Sequence, residues 1–150
     1  MTKNDRYNEI ILRELAINGR IANSELAEKI GLSPSACLRR VQELEKSGVI
    51  TGYRAVLDSE KLGNHFIGYV AVGLAEHSIS SQRAFEKAIM TAEEVKECHN
   101  VTGEFEYLLR IETQNIQSFK TFHADVLGEI PQVRTIHTHV VMESPKDERR

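Results

Sequence analysis

Between residues 33 and 40 the chain reads Ser-Pro-Ser-Ala-Cys-Leu-Arg-Arg. These residue types at this spacing suit contact with a polyanion. The hydroxyls of Ser33 and Ser35 can donate to phosphate oxygens or base edges, and Arg39 and Arg40, one turn further on, can reach phosphate or guanine. Ser33 is a favourable N-cap and Pro34 fits the first helical position. With only Ala36 beside them, the free N–H groups of that helix N-terminus can approach a phosphate closely. Arg20 and Ser24, ahead of and at the start of the preceding helix, complete the candidate set for double-stranded DNA: Arg20, Ser24, Ser33, Pro34, Ser35, Ala36, Arg39 and Arg40. A small helical hairpin with a solvated charged face, or one that docks a protein partner, would show some of the same residues.

The elements that position them are legible on either side. Leu26, Ala27 and Ile30 form an apolar stripe at helical spacing, and Gly31 stops that helix in the left-handed conformation glycine adopts most easily. Leu32 plugs the space between two helices. The second helix is expected to bury Cys37, Leu38, Val41 and Leu44, to show Ser35, Ala36, Arg39, Arg40 and Glu43, and to end at Gly48. That is a helix-turn-helix outline, whose second helix enters the major groove. Ahead of it, Asp5 is expected to cap a helix to about Ile17 with Ile11, Leu12, Leu15 and Ala16 inward. Asn18-Gly19 breaks it, and Asn23 or Ser24 caps the next. Ile50 to Leu57 alternates in the manner of a strand or short hairpin wing.

Composition limits the alternatives. The 150 residues are 41% hydrophobic and 27% charged, ordinary for a soluble protein with one domain or two small ones. No apolar run is long enough to span a bilayer, and no secretory leader is evident at the start. Only Cys37 and Cys98 occur, so a reducing cytoplasm is expected rather than a disulfide scaffold. The net charge of −3 lies beyond Glu60, since the stretch up to that residue balances nine basic against nine acidic side chains. Specific DNA binding would therefore need local clustering at Arg20, Arg39, Arg40 and Arg54, and more than one copy of the domain. His137 and His139 fall on one strand face and His99 on a strand placed near it. Three imidazoles could hold a metal, but surface or interface histidines are much commoner and no Cys/His spacing helps, so no metal or cofactor is expected. Lining an interface, they would make assembly pH-sensitive. No G-x-x-x-x-G-K, G-x-S-x-G or Cys/Ser–His–acid set occurs at a convincing spacing, and no catalytic residue is assigned.

The second half has a different rhythm. Phe66 to Ala75 reads as a strand with Phe66, Val70, Val72 and Leu74 on one side and Ile67, Tyr69 and Ala71 on the other. A helix over Ser78–Thr91 follows, with Ala84, Phe85, Ala88 and Ile89 inward. Then come strands over Val95–Val101 and Tyr107–Thr113, a helix over Ile116–Leu127, and a strand over Val133–Met142. The order β-α-β-β-α-β is that of a ferredoxin-like sandwich. The fold class is α+β: a winged helix-turn-helix over 1–57, a linker over 58–65, a sandwich over 66–143 and a charged tail over 144–150. Apolar residues on both sides of the first and last strands suggest that the open sheet face is covered by a second copy.

The stretches NGRIANSELAEKIGLSPSACLRRVQELEKSGVITGY, EVKECHNVTGEFEYLLRI and THVVMES resemble the Lrp/AsnC (leucine-responsive/asparagine-operon regulator) family of transcription factors. The resemblance covers nearly the whole chain and keeps the order of elements. It implies a C-terminal effector-sensing "regulation of amino-acid metabolism" (RAM) domain, homodimers formed through the sheet and higher assemblies, commonly octamers. It also implies a small effector, usually a free amino acid, held in clefts between dimers. The family's G-(D/E)-x-D-Y turn stands here as Gly103-Glu104-Phe105-Glu106-Tyr107. By that resemblance Gly103 would turn backbone N–H groups towards a ligand carboxylate, and Glu104 or Glu106 would take its ammonium. Glu106 replaces the more usual Asp, and Asn8 stands where many members have Asp. Read without the family, the same turn is a β-hairpin connection with exposed acids. The alternatives to a ligand-responsive DNA-binding regulator are a helix-turn-helix protein with a purely structural assembly domain, and a small-ligand enzyme on the sandwich.

Overall fold

The computed structural model describes residues 6–147. The expected Asp5 cap lies outside them. The chain divides into two compact units, with the break between Ala55 and Val56.

In the first unit, helices α1 (Arg6–Ile17), α2 (Asn23–Ile30) and α3 (Pro34–Lys46) enclose a small core. Ile11, Leu26, Ala27, Ile30, Cys37 and Leu44 are buried in it, flanked by Ile10, Leu12, Leu15, Ile21, Leu32, Val41 and Ile50. Ile10, not Ala16, completes the α1 stripe; Ala16 is exposed. Gly31 takes φ 72°, the Leu32 N–H donates to the Ala27 carbonyl at 2.9 Å, and the chain turns into α3 with Leu32 plugged beneath. Neither Asn23 nor Ser24 caps α2: Ala22 holds that position without a side-chain bond. Asn23 instead spends its amide on the Pro34 carbonyl (2.8 Å), which fastens the start of α2 to the start of α3.

The expected wing strand is not formed. Residues 51–58 are exposed and carry no ladder bonds. A strand needs a neighbour's N–H and C=O groups, and among the described residues the first unit contains helices only. Tyr53 folds back alone, its hydroxyl donating to Glu45 Oε1 at 2.9 Å.

The second unit is an antiparallel sheet in the order β2-β3-β1-β4, built from β1 (Phe66–Leu74), β2 (Val95–Asn100), β3 (Tyr107–Thr113) and β4 (Val133–Val140). Helices α4 (Ile79–Ile89) and α5 (Ile116–Phe122) cover one face. The register pairs Val70 with Leu109 and Thr138, and Val72 with Tyr107 and Ile136, on the covered side. Phe66, Leu74, Phe85, Ile89, Ile111, Phe119, Phe122 and Leu127 fill the same core.

After Phe122, α5 loosens into a π-helical turn over His123–Leu127, closed by the Gly128 N–H on the His123 carbonyl at 2.9 Å. A π-turn brings residues five apart into phase, so Phe122 and Leu127 both point inward. A Cβ at Gly128 would lie 2.8 Å from the Ala124 carbonyl oxygen. Gly128→Ala is therefore expected to lower stability by about 1–3 kcal/mol, read as a fall in the denaturation midpoint.

The opposite sheet face carries Ile67, Tyr69, Ala71 and Leu108 at its centre, ringed by Glu97, His99, Arg110, Glu112, His137 and His139. On β4 that face is polar, contrary to the alternation expected from sequence. Arg110 and Glu112 form an ion pair that is buried even within one chain, and the Ser59 hydroxyl donates to Glu112 Oε2 at 2.9 Å. That bond ties the 58–65 segment, expected as a linker, to β3.

Candidate functional site

The α2–α3 turn sets the first candidate surface. The Ser33 Oγ accepts from the Ala36 N–H at 3.3 Å, and Pro34 occupies the first helical position. Ser33→Ala is expected to cost about 1 kcal/mol, visible as a lower unfolding midpoint. Ser33 Oγ lies 3.3 Å from Ser35 Oγ, and both residues are exposed at the helix start.

From there the helical phase sorts the side chains. Cys37, Val41 and Leu44 share the inward side. Ser35, Leu38, Arg39 and Gln42 lie on the outward side, all four exposed. Leu38, expected in the core, is instead 46% exposed: the 37/41/44 stripe closes the core without it, because residue 38 sits about 100° around the helix from Cys37.

Arg40 departs from expectation in the other sense. Its guanidinium turns towards α1, with Nη1 3.2 Å from Asn8 Oδ1 and Cζ 5.2 Å from the Tyr7 ring centroid. It is half-buried, so the paired arginines divide their roles: Arg39 faces outward and Arg40 braces α3 on α1. Asn8, where the family often has Asp, is the partner that orients it. Arg20 and Ser24 flank the start of α2, and the Arg20 N–H donates to Asn18 Oδ1 at 3.0 Å.

The second candidate is the β2–β3 turn. The Val101 N–H donates to the Glu106 carbonyl at 2.9 Å and closes the hairpin. Gly103 has φ 132°, a conformation that L side chains rarely adopt, and open space where a Cβ would stand. Glu104 is exposed and Phe105 half-buried. Glu106 is half-buried and engaged within the chain instead: its Oε2 accepts from the Leu74 N–H at 2.7 Å and its Oε1 lies 2.7 Å from His77 Nδ1. The carboxylate thus joins the turn to the end of β1 and to the segment leading into α4.

Tyr107 is not part of this surface. It is 1% exposed, packs its ring 4.6 Å from Phe85, and donates its hydroxyl to Glu86 Oε1 at 2.7 Å. Burial first, then the bond to Glu86, pushes its phenol up to about 12. An unfolded tyrosine ionises near 10. Because the folded state holds the proton more tightly, this contribution to stability is complete below that pH and is lost as pH rises towards 12. Alkaline titration followed by circular dichroism is expected to show unfolding over that range, shifted in Tyr107→Phe.

His99 and His137 occupy one row across the sheet, but β3 and β1 lie between their strands. At about 4.8 Å per strand they stand too far apart to share an ion. Among the described residues no group of three His, Cys, Asp or Glu side chains is placed to hold a metal.

A helix-turn-helix with an exposed, capped second helix, followed by a small α+β sandwich, defines a two-part DNA-binding transcription regulator. Residues 5–51 match the winged helix-turn-helix DNA-binding model and residues 68–150 the Lrp/AsnC ligand binding domain model. The leucine-responsive regulatory protein of Haemophilus influenzae is 41% identical over 91% of this chain and 82% of its own length. That of Escherichia coli is 37% identical over 97% and 89%. A Neisseria meningitidis transcriptional regulator solved with L-Met superposes with a TM-score of 0.92 at 31% identity, covering 95% of this chain and 92% of its own. An AsnC family regulator from Agrobacterium tumefaciens gives 0.89 at 32%, over 95% and 93%. The chain belongs to the Lrp/AsnC family of transcription regulators.

Proposed function

We propose that this regulator binds a free amino acid at the Gly103–Glu106 turn and that the bound ligand changes which DNA sites it holds. The observation that carries the reading is the turn itself, where a glycine with open space around it stands beside an exposed carboxylate, Glu104. Backbone N–H groups there can face a ligand carboxylate and Glu104 its ammonium. The Neisseria relative's complex with L-Met and the leucine-responsive relatives support an amino acid as the class.

DNA contact falls to Ser33, Ser35, Arg39 and the helix start at Pro34–Ala36, with Arg20 and Ser24 at the flank. The protein works as a homodimer in the cytoplasm, assembled through the apolar centre of the open sheet face and further into octamers, with no catalytic step. Ligand bound between dimers alters how dimers associate. Multivalent engagement of operator half-sites is then what changes. A second reading has support in Glu106, whose two oxygens are already engaged within the chain: the turn is structural and the sandwich only assembles.

A thermal-shift screen against the twenty amino acids separates the two. The first reading expects a rise with one chemical class, about 2.7 kcal/mol at a hundredfold excess over Kd, lost in Gly103→Val. No rise with any of the twenty contradicts it.

A further inference from the structure

We infer that Leu38 reads a thymine methyl group, so that this regulator's half-site contains an A·T pair placed opposite the middle of α3. The inference rests on the DNA-binding role of that helix.

Leu38 is 46% exposed although the core of the first unit closes without it. Its neighbours on the outward face are Ser35 and Arg39, both exposed, with Gln42 one turn beyond. The setting is a polar surface with one cation at its centre and a single apolar side chain beside it. A membrane or an apolar protein groove would need a stripe of such residues. A major groove does not. Its base edges are polar apart from one feature, the C5 methyl of thymine, while arginine suits guanine O6 and N7 and glutamine suits adenine N6 and N7. Leu38 and Gln42 lie four residues apart on one face, so the pair can take the thymine and the adenine of one A·T pair or of two adjoining ones. Arg39 supplies the charge that holds the helix in place.

The test uses the full chain and a duplex enriched from a randomised pool. Each thymine of the enriched site is replaced in turn by uracil, which removes the methyl group and leaves base pairing intact. One position per half-site is expected to weaken wild-type binding by about fourfold, the change that accompanies loss of one buried methyl. Leu38→Ala is expected to bind the thymine and uracil duplexes equally and, because a two-fold complex loses the contact in both half-sites, about sixteenfold more weakly than the wild type binds the thymine duplex, with its thermal midpoint unchanged. An enriched site at which no uracil matters, or at which uracil costs the variant as much as the wild type, overturns the inference and leaves the DNA-binding role standing. A Leu38→Ala variant that changes the sedimentation of the free protein but not its thymine preference places Leu38 between copies of the chain, and also overturns it. A pool in which no sequence is enriched removes the role and the inference together.

Discussion

Arg39→Ala is expected to weaken binding to an enriched DNA duplex by about thirtyfold or more for a two-fold complex, since each half-site forfeits an interaction worth about 1–3 kcal/mol. Arg39 stands exposed on the outward face of α3, among Ser35, Leu38 and Gln42. If it binds phosphate, the slope of log affinity against log salt falls by about 1 for each phosphate no longer neutralised. If it binds guanine, the effect concentrates at one base pair and the slope changes little. Arg40→Ala is the informative contrast. Its guanidinium is engaged with Asn8 and over Tyr7, so its removal is expected to lower the unfolding midpoint, at about 1–2 kcal/mol, and to affect DNA through the seating of α3. Fluorescence anisotropy at two salt concentrations, with a thermal melt for each variant, distinguishes these outcomes. Equal falls in DNA affinity for the two variants, with neither destabilised, would contradict the division of roles.

Glu112→Ala is expected to be the most destabilising single change on the open sheet face. The Arg110 and Glu112 side chains are 9% and 8% exposed, and Arg110 Nε has no hydrogen-bond partner among the described residues. Removing the carboxylate breaks a buried ion pair from one side, which costs about 3–5 kcal/mol, less to the extent that Glu97, opposite Arg110 in the register, takes over. For a unit of this size that is a fall of roughly 15–30 °C in Tm. Glu112→Gln keeps an acceptor for the Ser59 hydroxyl and is expected to lose less. The double replacement Arg110→Met with Glu112→Leu removes both charges and is expected to recover most of the stability. A Glu112→Ala midpoint indistinguishable from the wild type would show that water, or a second copy, satisfies Arg110 in its place.

What is legible in the sequence is whatever one segment decides for itself. The Gly31–Leu32–Ser33–Pro34 turn is local chemistry: a left-handed glycine, an apolar plug, a hydroxyl cap and a proline with its φ already set. All four positions behave accordingly. The strand at Tyr107–Thr113 falls where its pattern places it. Leu38 and Arg40 mislead because a stripe of 37, 38, 41 and 44 is wider than a small three-helix core needs. Only the position of α1 decides which of residues 38, 39 and 40 remain outside. The wing fails for a different reason, since alternation marks a segment able to pair and says nothing of whether an edge is present to pair with.

At the candidate ligand site the turn is legible and the wiring is not. Tyr107 follows Glu106 directly, yet the strand's two-residue period sends its ring into the core beside Phe85. Period alone is enough to find that. The clasp of Glu106 on the Leu74 N–H and His77 joins residues about thirty apart in sequence, and nothing in the local pattern announces it.

The proposed coupling of ligand and DNA runs through one assembly. Its most direct test is the affinity of the full chain for an enriched duplex, measured with and without the amino acid that raises its melting temperature, with sedimentation of the same samples. The ligand is expected to shift both the assembly state and the DNA affinity, and DNA to shift the ligand's affinity by the same factor, as linkage requires. A ligand that binds tightly while leaving both assembly and DNA affinity unchanged would contradict the claim.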